Sequence, residues 1–226
     1  MRYTNIHAAV FRSRPNRFIA IVELDGREET VHVKNTGRCR ELLVPGCTVY
    51  LEKSENPARR TAYDLVAVNK NGMLINMDAQ APNQVFKEWA GSGGFRDDLS
   101  LLRAETTWGD SRFDFYWEAG DKRGFAEVKG CTLEENGHAR FPDAPTERGV
   151  KHLRELVQAQ REGYHCCVCF VLQMKGCHVF SPNEQTHPEF AAALCDAADA
   201  GVQILAVDCI VTPDSLTIDS AVPVEF

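Results

Sequence analysis

SRFDFYWE (residues 111–118), then AGDKRG (119–124), then FAEVKG (125–130), is the stretch on which the reading of this chain turns. Large apolar and polar residues alternate over the first run, a Gly-rich break follows, and a second short run comes after it, which is the pattern of a β-hairpin. Asp114 is the interior acid of the first strand, while Glu127 and Lys129 stand two apart on the second and so leave the sheet on one face. Two carboxylates and an ammonium would then converge. Hard oxygen ligands of this kind suit Mg2+ or Mn2+, and a neighbouring lysine can orient or deprotonate a water and offset charge at phosphorus. The chemistry indicated is phosphodiester cleavage, with Asp114, Glu127 and Lys129 as catalytic residues and Asp114 and Glu127 as metal ligands.

The spacing resembles the PD-(D/E)xK nuclease signature, here as Phe113-Asp114 and Glu127-Val128-Lys129 without the leading proline. An ordinary solvated strand face carries E-x-K as well, and the acids could instead pair with Lys129 and Arg148 as a structural ion network. Downstream, FPDAPTERGVKHLREL (141–156) offers Thr146 as a helix N-cap, with Val150, Leu153, Leu156 and Val157 at helical intervals. Arg148, Lys151 and His152 fall on the first turns of this helix, where a basic N-terminus beside an acid pair could cradle phosphate. An amphipathic helix with a solvated face has the same periodicity.

The runs SRFDF, EVKGCTL, FPDAPTERG and KHLREL, with RPNRF (14–18) and HVKNTGRCRELLVPG (32–46) before them in the same order, closely resemble the sugar fermentation stimulation protein A (SfsA) family over nearly the whole chain. The resemblance implies an N-terminal OB-like small β-barrel, a C-terminal nuclease-like α/β domain, DNA binding, and a regulatory role in sugar (maltose) metabolism. One departure is Cys39, where the motif leads us to expect a larger apolar residue.

Working outward, 226 residues with 44% apolar content suffice for one large or two small globular domains. The N-terminus lacks a signal-peptide pattern, no apolar run reaches membrane-spanning length, and nine cysteines are scattered without framework spacing, so a reducing cytoplasm is expected. Cys166 and Cys169 make a C-x-x-C inside an apolar run and read as buried small residues, not as a zinc half-site. A net charge of −7 argues against a broadly basic DNA-coating surface and requires any nucleic-acid site to be a local patch.

The N-terminal third offers such a patch. Arg12, Arg14 and Arg17 precede one strand, Arg38 and Arg40 follow the turn-prone Asn35-Thr-Gly37, and Phe11 and Phe18 are interleaved. Arginines with aromatics are how small barrels hold nucleic-acid strands, and Arg14, Arg17, His32, Asn35 and Arg38 are the candidate contacts. Solvated strand ends and good turn chemistry would look similar. Strands are expected at 8–11, 18–24, 29–34, 47–52 and 63–69, with a helical piece near 38–43. The domain boundary is placed near residue 80, giving an OB-like domain over 1–80 and a mixed α/β nuclease-like domain over 81–226. A short helix over 84–90 carries Glu88, a candidate further metal ligand, with Glu105 on a strand at 101–108 as its rival. Beyond the central helix, a strand at 165–173, a helix at 188–200 and a strand at 202–209 complete a mixed sheet. Two classes of function follow: a metal-dependent nuclease, or a DNA-binding regulator on a nuclease-like scaffold.

Overall fold

The computed structural model describes residues 1–226. Strands β1 (Ile6–Asn16), β2 (Ile19–Leu24), β3 (Arg27–Val33), β4 (Thr48–Lys53) and β5 (Tyr63–Lys70) form an antiparallel run in the order β3-β2-β1-β4-β5, which a parallel β3–β5 pairing closes into a barrel. This is the OB arrangement. Alternation drives it: β2 turns Ala20, Val22 and Leu24 inward against Val31, Val49 and Leu51 and leaves the intervening residues half-exposed. All five expected strands are present, and β1 extends well beyond the run 8–11. The expected helical piece at 38–43 is only a single turn, closed by the Leu43 N–H on the Cys39 carbonyl at 3.0 Å. That turn seats Cys39, Leu42 and Leu43 in the core. Cys39 is buried in a left-handed backbone conformation, φ 44°, against Gly37.

A short β6 (Met73–Asn76) extends this sheet, and α1 (Ala81–Gly91) follows after a brief connection. Pro82 in its first turn sets the helix start three residues before the expected one. The second large sheet has the order β15-β14-β12-β9-β8-β7, built from β7 (Leu99–Trp108), β8 (Ser111–Ala119), β9 (Lys122–Cys131), β12 (Cys167–Leu172), β14 (Gln203–Thr212) and β15 (Ser215–Ala221). Its centre, β9-β12-β14, is parallel, and both flanks are antiparallel. The crossovers between the parallel strands carry α2 (Glu147–Arg161) and α3 (Pro188–Asp199). A small sheet of β10 (Glu134–Glu135), β11 (His138–Phe141) and β13 (Val179–Pro182) stands beside them.

Two cores result. Val150, Leu153, Leu156, Phe190 and Leu194 of α2 and α3 cover one face of the sheet in an apolar cluster continuous with the barrel interior. Val85 and Phe86 of α1 cover the other face, against Phe115 and Trp117. Cys166, Cys167 and Cys169 are all buried, as expected of small apolar fillers, and burial pushes the Cys166 thiol up to about 12. No helix is long and apolar enough to cross a membrane.

Candidate functional site

The hairpin of β8 and β9 is paired from its turn only as far as Phe115 opposite Ala126. Beyond that point β9 continues along β12, with Val168 opposite Glu127 and Phe170 opposite Lys129. Where β8 peels away, the Asp114 side chain fills the gap: its Oδ2 accepts the Val128 N–H at 2.8 Å, and its Oδ1 accepts the Asn83 side-chain amide at 2.9 Å. Asp114 is thus fixed between the sheet and α1, directly beside the strand that bears Glu127 and Lys129. Burial, and then the charge of Glu127, hold its carboxyl above the usual aspartate value, against the Val128 N–H, Asn83 and Lys129.

Glu127 is buried on the α2 side of the sheet. Burial alone would raise its pKa, but a hydrogen bond from His152 and the charge of Lys129 outweigh it and hold the carboxyl below the usual glutamate range. Both partners meet the same oxygen: Lys129 Nζ lies 2.5 Å from Oε1, and His152 Nδ1 also reaches it. Arg148 Nε lies 3.4 Å from His152 Nε2 as a donor, which leaves the ring proton on Nδ1, facing Glu127. The other oxygen, Oε2, is buried with no hydrogen-bond partner.

That orphaned oxygen is where a hard cation fits. A carboxylate oxygen buried without a donor is costly, as are two mutually repelling acids, and a divalent ion shared with Asp114 would relieve both.

Glu88 is not brought to this pair. Its exposed carboxylate meets the Met1 amino group at 2.6 Å and the Gln84 amide at 3.0 Å, so the sequence reading of Glu88 as a metal ligand is not what the fold provides. The helix face that meets the acids is that of Asn83, a residue the sequence reading left in the preceding connection. Pro82, as a first-turn residue, was the signal for it. The rival Glu105 is exposed, in a left-handed conformation of φ 54°, with Arg112 3.6 Å away. His152 is buried and turned inward, so it positions Glu127 and does not present itself to a ligand. Lys151 is exposed and donates to the Asp110 carbonyl at 3.1 Å, and Arg148 is exposed at the start of α2.

The barrel residues divide in the same way. The Arg14 guanidinium is consumed by four backbone carbonyls, of Arg17, Asn35, Gly37 and Arg38, at 2.6–2.9 Å. It shapes the loop instead of offering itself to phosphate. Asn35 Oδ1 accepts the Gly37 N–H at 2.7 Å, an Asx turn within that loop. His32 Nδ1 lies 2.8 Å from Asp64 Oδ1 at the barrel closure. Arg17 and Arg38 are exposed, and Arg17 stacks 4.7 Å over the exposed Phe18 ring. Arg17, Arg38 and Arg40 border a recess of about 370 Å3.

Between the barrel and the second sheet runs a cleft of about 350 Å3, walled by Asn35–Gly37, Gly130–Leu133 and the 140–146 loop, with Gln173 at its base. It starts one residue beyond Lys129. Elsewhere, Glu147, His187 and Glu189 bring ligand atoms within 4.8 Å of one another. Glu189 is paired with Arg154 at 2.7 Å, and the Thr146 N–H donates to His187 Nδ1 at 3.3 Å, leaving the ring proton on Nε2. With two helix N-termini at the same place, this group suits a cation poorly.

Comparison with known proteins places these features in a family. The model for the sugar fermentation stimulation protein RE domain matches residues 80–215, and that for the SfsA N-terminal OB domain matches residues 13–77. The sugar fermentation stimulation protein homolog of Desulfitobacterium hafniense (strain DSM 10664 / DCB-2) is 57% identical over 226 residues, covering 100% of this chain and 99% of the relative. That of Clostridium beijerinckii is 53% identical over 224 residues, covering 99% of each. Among solved structures, Pyrococcus furiosus SfsA in complex with Ca2+ superposes with a TM-score of 0.90 at 26% identity, covering 100% of this chain and 98% of that one.

Proposed function

The chain belongs to the sugar fermentation stimulation protein family, and from that premise we propose that it is a nucleic-acid-binding protein, DNA being the expected partner, with a metal-dependent phosphodiester-cleaving site. The reading includes a division near residue 80 between a barrel that grips the strand and a nuclease-like part that cuts it. The observation that carries it is the buried, unpartnered Oε2 of Glu127, an acid whose charge acts on Asp114. Asp114 and Glu127 would hold the ion, for which Mg2+ or Mn2+ is proposed; when bound, the ion would polarise a phosphate oxygen and stabilise developing charge. The Ca2+ in the Pyrococcus protein supports an oxygen-ligated divalent site in the family without assigning its position here.

The chain's own groups have distinct tasks. Asn83 and the Val128 N–H fix the orientation of Asp114, and His152 fixes Glu127. Lys129, whose side chain is 19% exposed against 4% for Glu127, can leave Oε1 to orient a water at phosphorus. A second reading, a DNA-binding regulator without catalysis, is favoured by that same Lys129–Glu127 pair, which engages the lysine at 2.5 Å.

The two readings separate in one experiment. Labelled DNA and RNA are incubated with Mg2+ or Mn2+ and with wild type, Asp114→Ala or Lys129→Ala, following cutting and binding together. Metal-dependent cutting, reduced about 100-fold or more in both variants with binding retained, is the expected result. Binding without cutting under every metal leaves the regulator.

A further inference from the structure

We infer that the substrate enters as a single strand, with its backbone on the arginine-bordered recess of the barrel and one nucleotide seated in the cleft beside Gly130. This rests on the nucleic-acid reading above and adds to it the strandedness that the family and the acid site leave open.

The recess and the cleft adjoin, with Thr36 and Gly37 lining both. Their chemistry differs along the path. The recess is bordered by the exposed Arg17, Arg38 and Arg40, and just outside its lining the exposed Phe18, next to Arg17 in the chain, holds its ring beneath the Arg17 guanidinium. Cations for phosphates beside a flat ring for a base are the two components of a single-strand track. The cleft wall is instead largely uncharged and polar, with Asn35, Thr36, Thr132, Thr146 and Gln173. Such groups match base edges and sugar hydroxyls better than phosphates. Its one carboxylate, Asp143, stands close to Gly37, where an added Cβ would come within 2.8 Å of Oδ2.

Size and depth exclude a duplex from the same path. At about 350 Å3 the cleft lies at the lower end of ligand-pocket volumes, room for about one nucleotide. A duplex, whose major groove alone is about 12 Å wide, does not enter it. Glu127 is 3% exposed, so a phosphodiester must come into a recess and not lie across a flat face.

The test uses the full chain in chelator, so that nothing is cut, and reads the anisotropy of labelled oligothymidine, oligouridine and a duplex of equal length. Wild type is compared with Phe18→Ala and with Thr36→Trp, which fills the junction of recess and cleft; thermal melting checks that each variant is folded. The expected result is single-strand binding about tenfold or more tighter than duplex, weakened about tenfold by either substitution. The DNA and RNA arms identify the sugar. Duplex binding equal to or tighter than single-strand binding overturns the inference, as does single-strand binding that neither variant alters. Duplex cut on adding metal, without a preference for single strand in chelator, leaves the proposed function standing while this inference falls; binding to none of the three overturns this inference, and the proposed function is then decided by cutting in the presence of metal.

Discussion

Asp64 stands where β3 and β5 close the barrel, opposite His32 in the register. Arg59 grips it through two bonds of 2.7 and 2.6 Å, and His32 adds a third contact at 2.8 Å. Burial raises the Asp64 pKa, but the Arg59 and His32 hydrogen bonds outweigh it, and the net shift is downward. A carboxyl depressed in the folded state contributes stability that is fully present above its unfolded value and is lost as pH falls through the folded one. Arg59→Ala is therefore expected to cost about 2 kcal/mol at neutral pH. Its deficit against wild type should shrink below about pH 4, in urea titrations across a pH series; a deficit that widened there would contradict this account. His32 also shows where residue-level reading stops. Its place on a strand was visible in the sequence, but its partner lies 32 positions away, and no local pattern links them. Asn83 and Asp114, 31 apart, are the same case. Asp114, Glu127 and Lys129 could be found because each strand carries its own alternation, so the face each residue occupies follows from counting by two.

Among the elements, α2 was the most legible, because its N-cap and apolar stripe are both local. Thr146 accepts the Gly149 N–H at 3.1 Å, and the Thr146 carbonyl accepts the Val150 N–H at 3.2 Å. Thr146→Ala is expected to lower unfolding free energy by about 1 kcal/mol, read from the shift of the denaturation midpoint. A Thr146→Ser variant should recover most of it. What could not be read was the parting of β8 from β9 at Ala126. Past that point β9 is held on its other edge by β12, a strand 40 or so residues later, and on the edge β8 leaves by the Asp114 side chain, which takes the Val128 N–H. The short strands β6, β10, β11 and β13 were also hidden. Each is too brief or too polar to have a pattern of its own and is held by neighbours already in place. The supposed helix at 38–43 failed for the opposite reason: its apolar spacing serves a single turn that seats Cys39, Leu42 and Leu43 in the core.

For the molecule as a whole, the join between barrel and second sheet is a buried polar lattice. Asn76 donates to Tyr3 Oη at 2.8 Å, Gln173 donates to Asn76 Oδ1 at 2.8 Å and to the Asp78 carbonyl at 3.0 Å, and Lys34 meets Asp78 at 2.5 Å. Asn76, Asp78 and Gln173 are each 2% exposed or less. One apolar cluster also runs from Val22 in the barrel to Phe190 under α3. Unfolding should accordingly be a single transition. Fluorescence of Trp89, Trp108 and Trp117, all outside the barrel, should lose its native signal at the same urea concentration at which amide protection of β2 is lost. Separated midpoints would show two independently stable parts. The lattice also bears on truncation. A strand terminus near residue 76 is completed by a glutamine almost a hundred positions later, so a barrel cut off after residue 80 would trade the Gln173 amide at Asn76 and the Asp78 carbonyl for water. The same cut would strip the apolar cluster of everything it shares with α2 and α3.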